Sequence, residues 1–352
     1  MKNTVIIKIN SKDPDFSQIR DVARGAREGK IVAFPTETVY GIGGPMNIPG
    51  MSETLAGIKK RDENKPFSYH IGDLAMLDML GVKRTAKLRF LAKMFWPGPL
   101  TLLVLNQKGE KVGLRYPRQK TTTALISAVG VPFLGTSANL SGQPSPKTAD
   151  EVMNQIGGQI DYLIDGGPCE LGLDSTLVDL TGDKPEILRR GADVEAVEKG
   201  IQRILDGNYP RKKILIVCTG NSCRSPMAAG WLERELKKKG LGVQIEIASA
   251  GIGARQGASA TTEAILVMKN REIDISAHRS KPCTREDIAD ADLILAMSQE
   301  HFVFLSGMIP GSKDKIITLG IPDPIGMGMM IYEQVIQSIE AKMKDQWAKI
   351  IA

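Results

Sequence analysis

No run of apolar residues in this chain of 352 residues reaches the 18 or so needed to cross a bilayer, because charge or glycine interrupts every stretch. No membrane-spanning helix is expected on that ground. Cysteine is scarce too. Cys169, Cys218, Cys223 and Cys283 are too few and too scattered for a disulfide framework. No C-x-x-C pair occurs and the chain has 3 histidines, which argues against a structural zinc site. Low-complexity segments and near-neighbour repeats are absent. The first residues, MKNTVIIKINSKDPDF, alternate briefly and then turn charged; they read as an edge strand, not a signal peptide, so a cytoplasmic location is expected.

What is present is ordinary globular material, with 42% hydrophobic and 24% charged residues. The length exceeds what one core usually organises, so two domains are expected. The net charge of +6 is spread over both halves. That suits a nucleotide or phosphate substrate but is no nucleic-acid footprint.

The boundary falls in ILRRGADVEAVEKGIQRILDGNYPRKKILIV. Apolar residues from Val194 to Leu205 recur at helical spacing, and DGNYP then stops the helix. Residues 214–217 are a continuous apolar run, as in a buried parallel strand. Domains are therefore expected at 1–205 and 212–352. In the second, strand-like IEIASAG, ADLILAM and KIITLG alternate with helical segments, predicting an α/β parallel sheet. In the first, KIVAFPTETVYGIG reads as strand then turn, SETLAGIKKR as helix and PLTLLVL as strand. Thr148 or Asp150 is a possible helix cap.

The sharpest motif is strand ILIV, then CTGNSCRSP (218–226), then helix MAAGWLERELKKKG. The Cys-x5-Arg spacing curls the backbone so that its amides converge, and the next helix points its positive end at the same spot. A thiolate at Cys218 is favoured there. The cradle suits three phosphoryl oxygens while sulfur attacks phosphorus, and Arg224 can hold two oxygens through its fork. Asp323, in ITLGIPDPIG, is the candidate acid for the leaving group. His278, His301 and the tryptophans read as structural.

Together with ASAGIGA, ISAHRS and ADLILAMSQEH, these residues resemble the low-molecular-weight protein phosphatase family over about 213–345. The resemblance implies Cys218 as nucleophile, Arg224 as phosphate-binding residue and Asp323 as general acid. It implies Asn221 fixing the loop, Ser225 supporting the thiolate, and Cys223 able to form a protective disulfide with Cys218, without metal or cofactor. Arsenate reductases share the loop but relay through further cysteines, of which only Cys283 remains. Ser222, with Ile325-Gly326 after Asp323-Pro324, is similar to the bacterial protein-arginine phosphatases; phosphotyrosine is the competing substrate.

In the first domain AFPTETVYGIGG, IKKRDENKPF, WPGPLT, VGLRYP, GTSANLSGQPS, LGLDSTLVDL and RRG are each weak alone. Their order resembles the YrdC-like threonylcarbamoyl-AMP synthase family over about 10–195. That implies a twisted α/β sheet with a concave cleft that joins L-threonine, bicarbonate and ATP, with Mg²⁺, and serves tRNA modification with partner proteins. Carried across, Thr36, His70, Arg115 and Ser175 match threonine contacts. Lys59, Arg61, Lys65, Ser137, Asn139, Ser145 and Arg189 match the nucleotide side. Asp62 departs from the pattern by adding an acid beside the phosphate cations, and the second domain stands where longer synthases carry a lid. The whole chain is expected to be a bifunctional enzyme acting on a phosphoprotein and on these small substrates. The alternative is a phosphatase tethered to a noncatalytic nucleotide- or RNA-binding module.

Overall fold

The computed structural model describes residues 3–10, 16–61 and 66–351, so Asp62 and Lys65 lie outside the described residues. The chain forms two compact units, Met1–Asp206 and Gly207–Ala352.

In the first unit the chain runs β1 (Val5–Lys8), α1 (Phe16–Arg27), β2 (Val32–Phe34), β3 (Gly41–Pro45), α2 (Met51–Lys59), β4 (Ser68–His70), α3 (Met76–Met79) and α4 (Ala86–Phe95). It continues through β5 (Leu100–Leu105), β6 (Lys111–Arg115), α5 (Lys120–Val129), β7 (Phe133–Ser137), α6 (Ala149–Ile156), β8 (Tyr162–Asp165), β9 (Thr176–Asp179), β10 (Glu186–Arg189) and α7 (Val194–Leu205). The strands form one mixed sheet in the order β1-β8-β2-β3-β7-β4-β6-β5-β9-β10. β1 lies at its edge, parallel to β8, as its alternating pattern predicts. Thr148 caps α6 by accepting from the Glu151 amide at 3.3 Å.

One strand escaped the sequence reading. GIGGP, expected as a turn, is β3, antiparallel to both β2 and β7. Its glycines are there for closeness: a Cβ on Gly43 would sit 2.4 Å from the Leu134 carbonyl oxygen, and one on Gly41 2.5 Å from the Phe34 ring. Such a strand has almost no side-chain pattern to read. Tertiary pairing makes it.

The second unit runs β11 (Lys212–Cys218), α8 (Arg224–Lys238), β12 (Ile245–Gly251), α9 (Thr262–Lys269), α10 (Arg285–Asp290), β13 (Leu293–Ala296), α11 (Gln299–Met308), β14 (Ile316–Thr318), α12 (Met329–Asp345) and α13 (Trp347–Ile351). Its four strands are all parallel, in the order β12-β11-β13-β14. Successive side chains of β11 enter opposite cores. Ile214 and Ile216 pack with Trp231 and Tyr332, whereas Leu215 and Val217 pack with Ile288 and Leu305. This two-sided burial explains the unbroken apolar run. The chain order reverses beside β11, and such a switch point opens a crevice at the strand's C-terminal end. Cys218 stands at that end.

Candidate active sites

In the second unit the backbone turns sharply after β11. Asn221 takes a left-handed conformation, φ 51°, and its amide donates to Cys218 Sγ at 3.2 Å. The Asn221 side chain is oriented by the Lys281 amide, which donates to Oδ1 at 3.0 Å. Its Nδ2 therefore donates to Ser225 Oγ at 2.8 Å and Ser249 Oγ at 3.0 Å. Ser225 Oγ, having accepted that bond, turns its own hydrogen to Cys218 Sγ, 2.9 Å away. A buried sulfur thus has an amide and a hydroxyl aimed at it.

Arg224 opens α8. Its Nη1 donates to the Ile321 carbonyl at 3.2 Å, and its Nη2 donates to Thr219 Oγ1 at 3.1 Å and pairs with Asp323. Its Nε is buried without a hydrogen-bond partner among the described residues. Cys218, Arg224, Asp323, Asn221 and Ser225 are brought together. Ser222 lies in the same loop, its carbonyl accepting from the Thr261 amide at 2.9 Å. Cys223 points away, its sulfur 3.3 Å from the Tyr332 hydroxyl. Both histidines set aside as structural turn out to brace this loop. His278 Nε2 lies 2.7 Å from the Asn221 carbonyl, and His301 Nε2 3.1 Å from Thr219 Oγ1. Nothing local in the sequence assigns them there.

The first unit holds a small cleft of about 90 Å³ whose lining includes Thr36, His70, Arg115, Ser137, Ser175 and Arg189. Thr36 Oγ1 accepts from the amides of Thr38 and Val39, both at 3.2 Å, and so fixes the turn after β2. β4 and β6 run side by side and set His70 opposite Arg115. Burial, and then the Arg115 charge, push the His70 ring down to about 3, so it is neutral. Arg115, 3% exposed, is paired with equally buried Glu37, and its Nε has no hydrogen-bond partner among the described residues. The second Glu37 oxygen accepts from the Arg118 amide at 2.9 Å. Arg189 Nη2 donates to Ser175 Oγ at 2.8 Å, tying together residues matched to opposite ends of the substrate pair.

Lys59 lies behind the cleft. Its Nζ donates to the carbonyls of Ser137 (2.6 Å) and Asn139 (2.7 Å) and to Asn139 Oδ1 (3.1 Å). All three ammonium hydrogens are thereby engaged, so Lys59 holds the Ser-Ala-Asn turn in shape. Burial, and then the Arg61 charge, bring its pKa down to about 8. Arg61 stacks 5.1 Å from the Phe67 ring centroid and donates to the Pro66 carbonyl at 3.1 Å. Ser145 reaches the cleft through Asp174, its hydroxyl donating at 3.0 Å. Sequence reasoning missed Glu37 and Asp174. The one signal for Glu37 is an acid inside an otherwise apolar and hydroxyl-rich motif; its basic partner is 78 positions away.

Comparison with known proteins agrees with both geometries. The Sua5–YciO–YrdC family model, described as telomere recombination, matches residues 25–191, and the low molecular weight phosphotyrosine protein phosphatase model matches residues 213–352. The chain is 39% identical over 137 residues to a protein-arginine-phosphatase of Geobacillus stearothermophilus, covering 36% of this chain and 88% of the relative. The chain belongs to both families. The Sua5–YrdC half is 36% identical over 211 residues to a threonylcarbamoyl-AMP synthase of Pyrococcus abyssi, covering 57% of this chain and 62% of that one. The chain spans about three-fifths of the length of the synthases of P. abyssi and Bacillus subtilis, and 80% of a putative threonylcarbamoyl-AMP synthase of Mycobacterium tuberculosis to which it is 34% identical. The crystal structure of P. abyssi Sua5 complexed with L-threonine superposes with a TM-score of 0.54 at 26% identity, over 90% of this chain and 99% of that one. The Sua5–YrdC half of this chain is thus the mixed-sheet unit, and the phosphatase half the all-parallel one. No helix among the described residues is long and apolar enough to cross a membrane.

Proposed function

We propose that the chain is a bifunctional enzyme. The first unit makes threonylcarbamoyl-AMP from L-threonine, bicarbonate and ATP, and the second hydrolyses phosphorylated protein side chains through Cys218. For the first activity the supporting observation is a polar cleft in which a buried arginine and a neutral imidazole meet two serines and a second arginine. Arg115 suits the threonine carboxylate, with Thr36, His70 and Ser175 around it. Arg61, Arg189, Ser137, Asn139 and Ser145 suit the nucleotide, Lys59 acting by holding the 137–139 turn. Lys65 belongs to the same set on sequence alone. Cations at the phosphates stabilise adenylyl transfer, with little demand for an acid–base pair.

Among the described residues no cluster of three or more metal-ligating side chains exists. Asp174 is the acid that lines the cleft. Mg²⁺ fits this site as the companion of the triphosphate, with Asp174 available to it, and would supply charge neutralisation.

For the second activity the supporting observation is the Asn221–Ser225–Cys218 chain of hydrogen bonds. It presents a sulfur that accepts from the Asn221 amide and faces the Ser225 hydroxyl, in the loop that leads into Arg224. The phosphoryl group lies on Arg224, Cys218 attacks, and Asp323 protonates the departing atom; water then cleaves the phosphocysteine. Phosphoarginine is the favoured substrate, because Ser222 supplies a hydroxyl and no aromatic ring follows Asp323-Pro324. The similarity to a protein-arginine-phosphatase supports this. A cytoplasmic site of action with tRNA-modification partners completes the proposal.

The test is direct. The full chain, given ATP, bicarbonate, threonine and Mg²⁺, yields an adenylate of threonylcarbamate by mass spectrometry, and it dephosphorylates phosphoarginine peptides faster than phosphotyrosine ones. Absence of the adenylate from folded protein would return the first unit to a binding role. A phosphotyrosine preference unchanged by Ser222→Ile would remove the arginine assignment.

A further inference from the structure

His301 is 1% exposed and lies at the start of α11, and nothing in the chemistry above uses it. Its hydrogen bonds nonetheless determine its state. The Ser298 amide donates to Nδ1 at 3.0 Å, so Nδ1 carries no proton. The Ser298 hydroxyl, 2.6 Å from the same nitrogen, must also donate. The remaining proton sits on Nε2, which donates to Thr219 Oγ1 at 3.1 Å. Burial, and then the charge of Arg224, hold the ring below its ordinary pKa and keep this tautomer neutral.

Thr219 Oγ1 also accepts from Arg224 Nη2 at 3.1 Å. Both lone pairs of the hydroxyl are then occupied, and its hydrogen must point elsewhere. Thr219 is exposed at the mouth of the loop. We infer that His301 is a positioning residue that turns the Thr219 hydroxyl into an extra donor for a phosphoryl oxygen held by Arg224. The same relay, running Ser298–His301–Thr219–Arg224, fixes the guanidinium plane on the side that also meets Asp323. This inference rests on the phosphatase reading of Cys218 and Arg224. It is independent of which side chain carries the phosphate.

The experiment uses the full chain and inorganic phosphate as a competitive inhibitor of phosphoester hydrolysis. A hydrogen bond to a charged group is lost in Thr219→Val, so its inhibition constant for phosphate rises about tenfold or more. Thr219→Ser, which keeps the hydroxyl, recovers most of that loss. His301→Asn can still accept from Ser298 but cannot reach Thr219, and it weakens phosphate binding in the same direction. The double variant His301→Asn/Thr219→Val binds phosphate no worse than Thr219→Val alone, because both changes remove one donor. An unchanged inhibition constant in Thr219→Val, or losses that multiply in the double variant, overturns the relay. If His301→Asn does not fold, the Thr219→Val and Thr219→Ser pair decides. Isothermal titration of inorganic phosphate into the same proteins reads binding without turnover, and a wild-type chain that binds phosphate with these dependences yet hydrolyses no phosphoester upholds the relay and sinks the phosphatase reading.

Discussion

Acid should unfold the first unit through His70, and the size of the effect follows from where the ring lies. It is 9% exposed, packed edge-on to Phe34 with centroids 5.7 Å apart, and a Cβ on Gly135 would come within 2.9 Å of Nδ1. Protonation there puts a second cation beside Arg115 without water to screen it. The unfolded chain binds a proton on this ring below about 6.5, whereas the folded chain waits until about 3. Between those values the unfolded state holds more protons, so stability is complete above the unfolded pKa and drains as the pH falls. Taking the chain from about pH 7.5 to about pH 4.5, two units below the unfolded pKa, costs about 3 kcal/mol from this residue alone. Global amide exchange in β2 and β3 then speeds up about a hundredfold beyond the intrinsic pH effect. His70→Asn carries no such titration, and its protection falls less over the same interval. Hydrogen exchange with mass spectrometry on the full chain reads both proteins peptide by peptide. Parallel loss of protection in wild type and His70→Asn would refute the reasoning.

Three other outcomes are expected. Glu37→Ala leaves Arg115 as a buried unpaired charge and lowers the first unit's stability by about 3–5 kcal/mol, whereas Glu37→Ala/Arg115→Ala loses clearly less than the sum of the single changes. Denaturant titrations across that cycle check it, and additive losses would show the pair to be uncoupled. Cys218→Ser abolishes phosphopeptide hydrolysis while threonine-dependent ATP consumption continues at the wild-type rate; coupled loss of both would contradict two self-contained sites. Arg115→Ala raises the threonine requirement more than the ATP requirement, as initial-rate kinetics with either substrate varied will show.

Much of the second unit was legible because its signals are local. A buried parallel strand, a nine-residue loop motif and a helix follow one another without a gap, so Cys218, Asn221, Ser225 and Arg224 needed no knowledge of distant contacts. Asp323 was reachable through its Pro-flanked turn. What braces the loop was not legible: His278 and His301 come from 57 and 82 positions beyond their loop partners. In the first unit the motifs named Thr36, His70, Arg115 and Ser175. β3 was invisible because four of its five residues are glycine or proline apart from Ile42.

By itself the sequence determined the two-unit plan and the α/β class of both, and it named residues that the structure gathers around Cys218 and Arg115. Those properties depend on periodicity, on turn residues and on short motifs, all of which act within a few positions along the chain. Only the tertiary structure decided how those residues are employed. It paired Glu37 with Arg115, committed every hydrogen of Lys59 to the 137–139 turn, and set His301 against Thr219. Each of these is a contact between residues far apart in sequence, whose strength comes from burial. Burial belongs to the packed fold and not to any local stretch of chain.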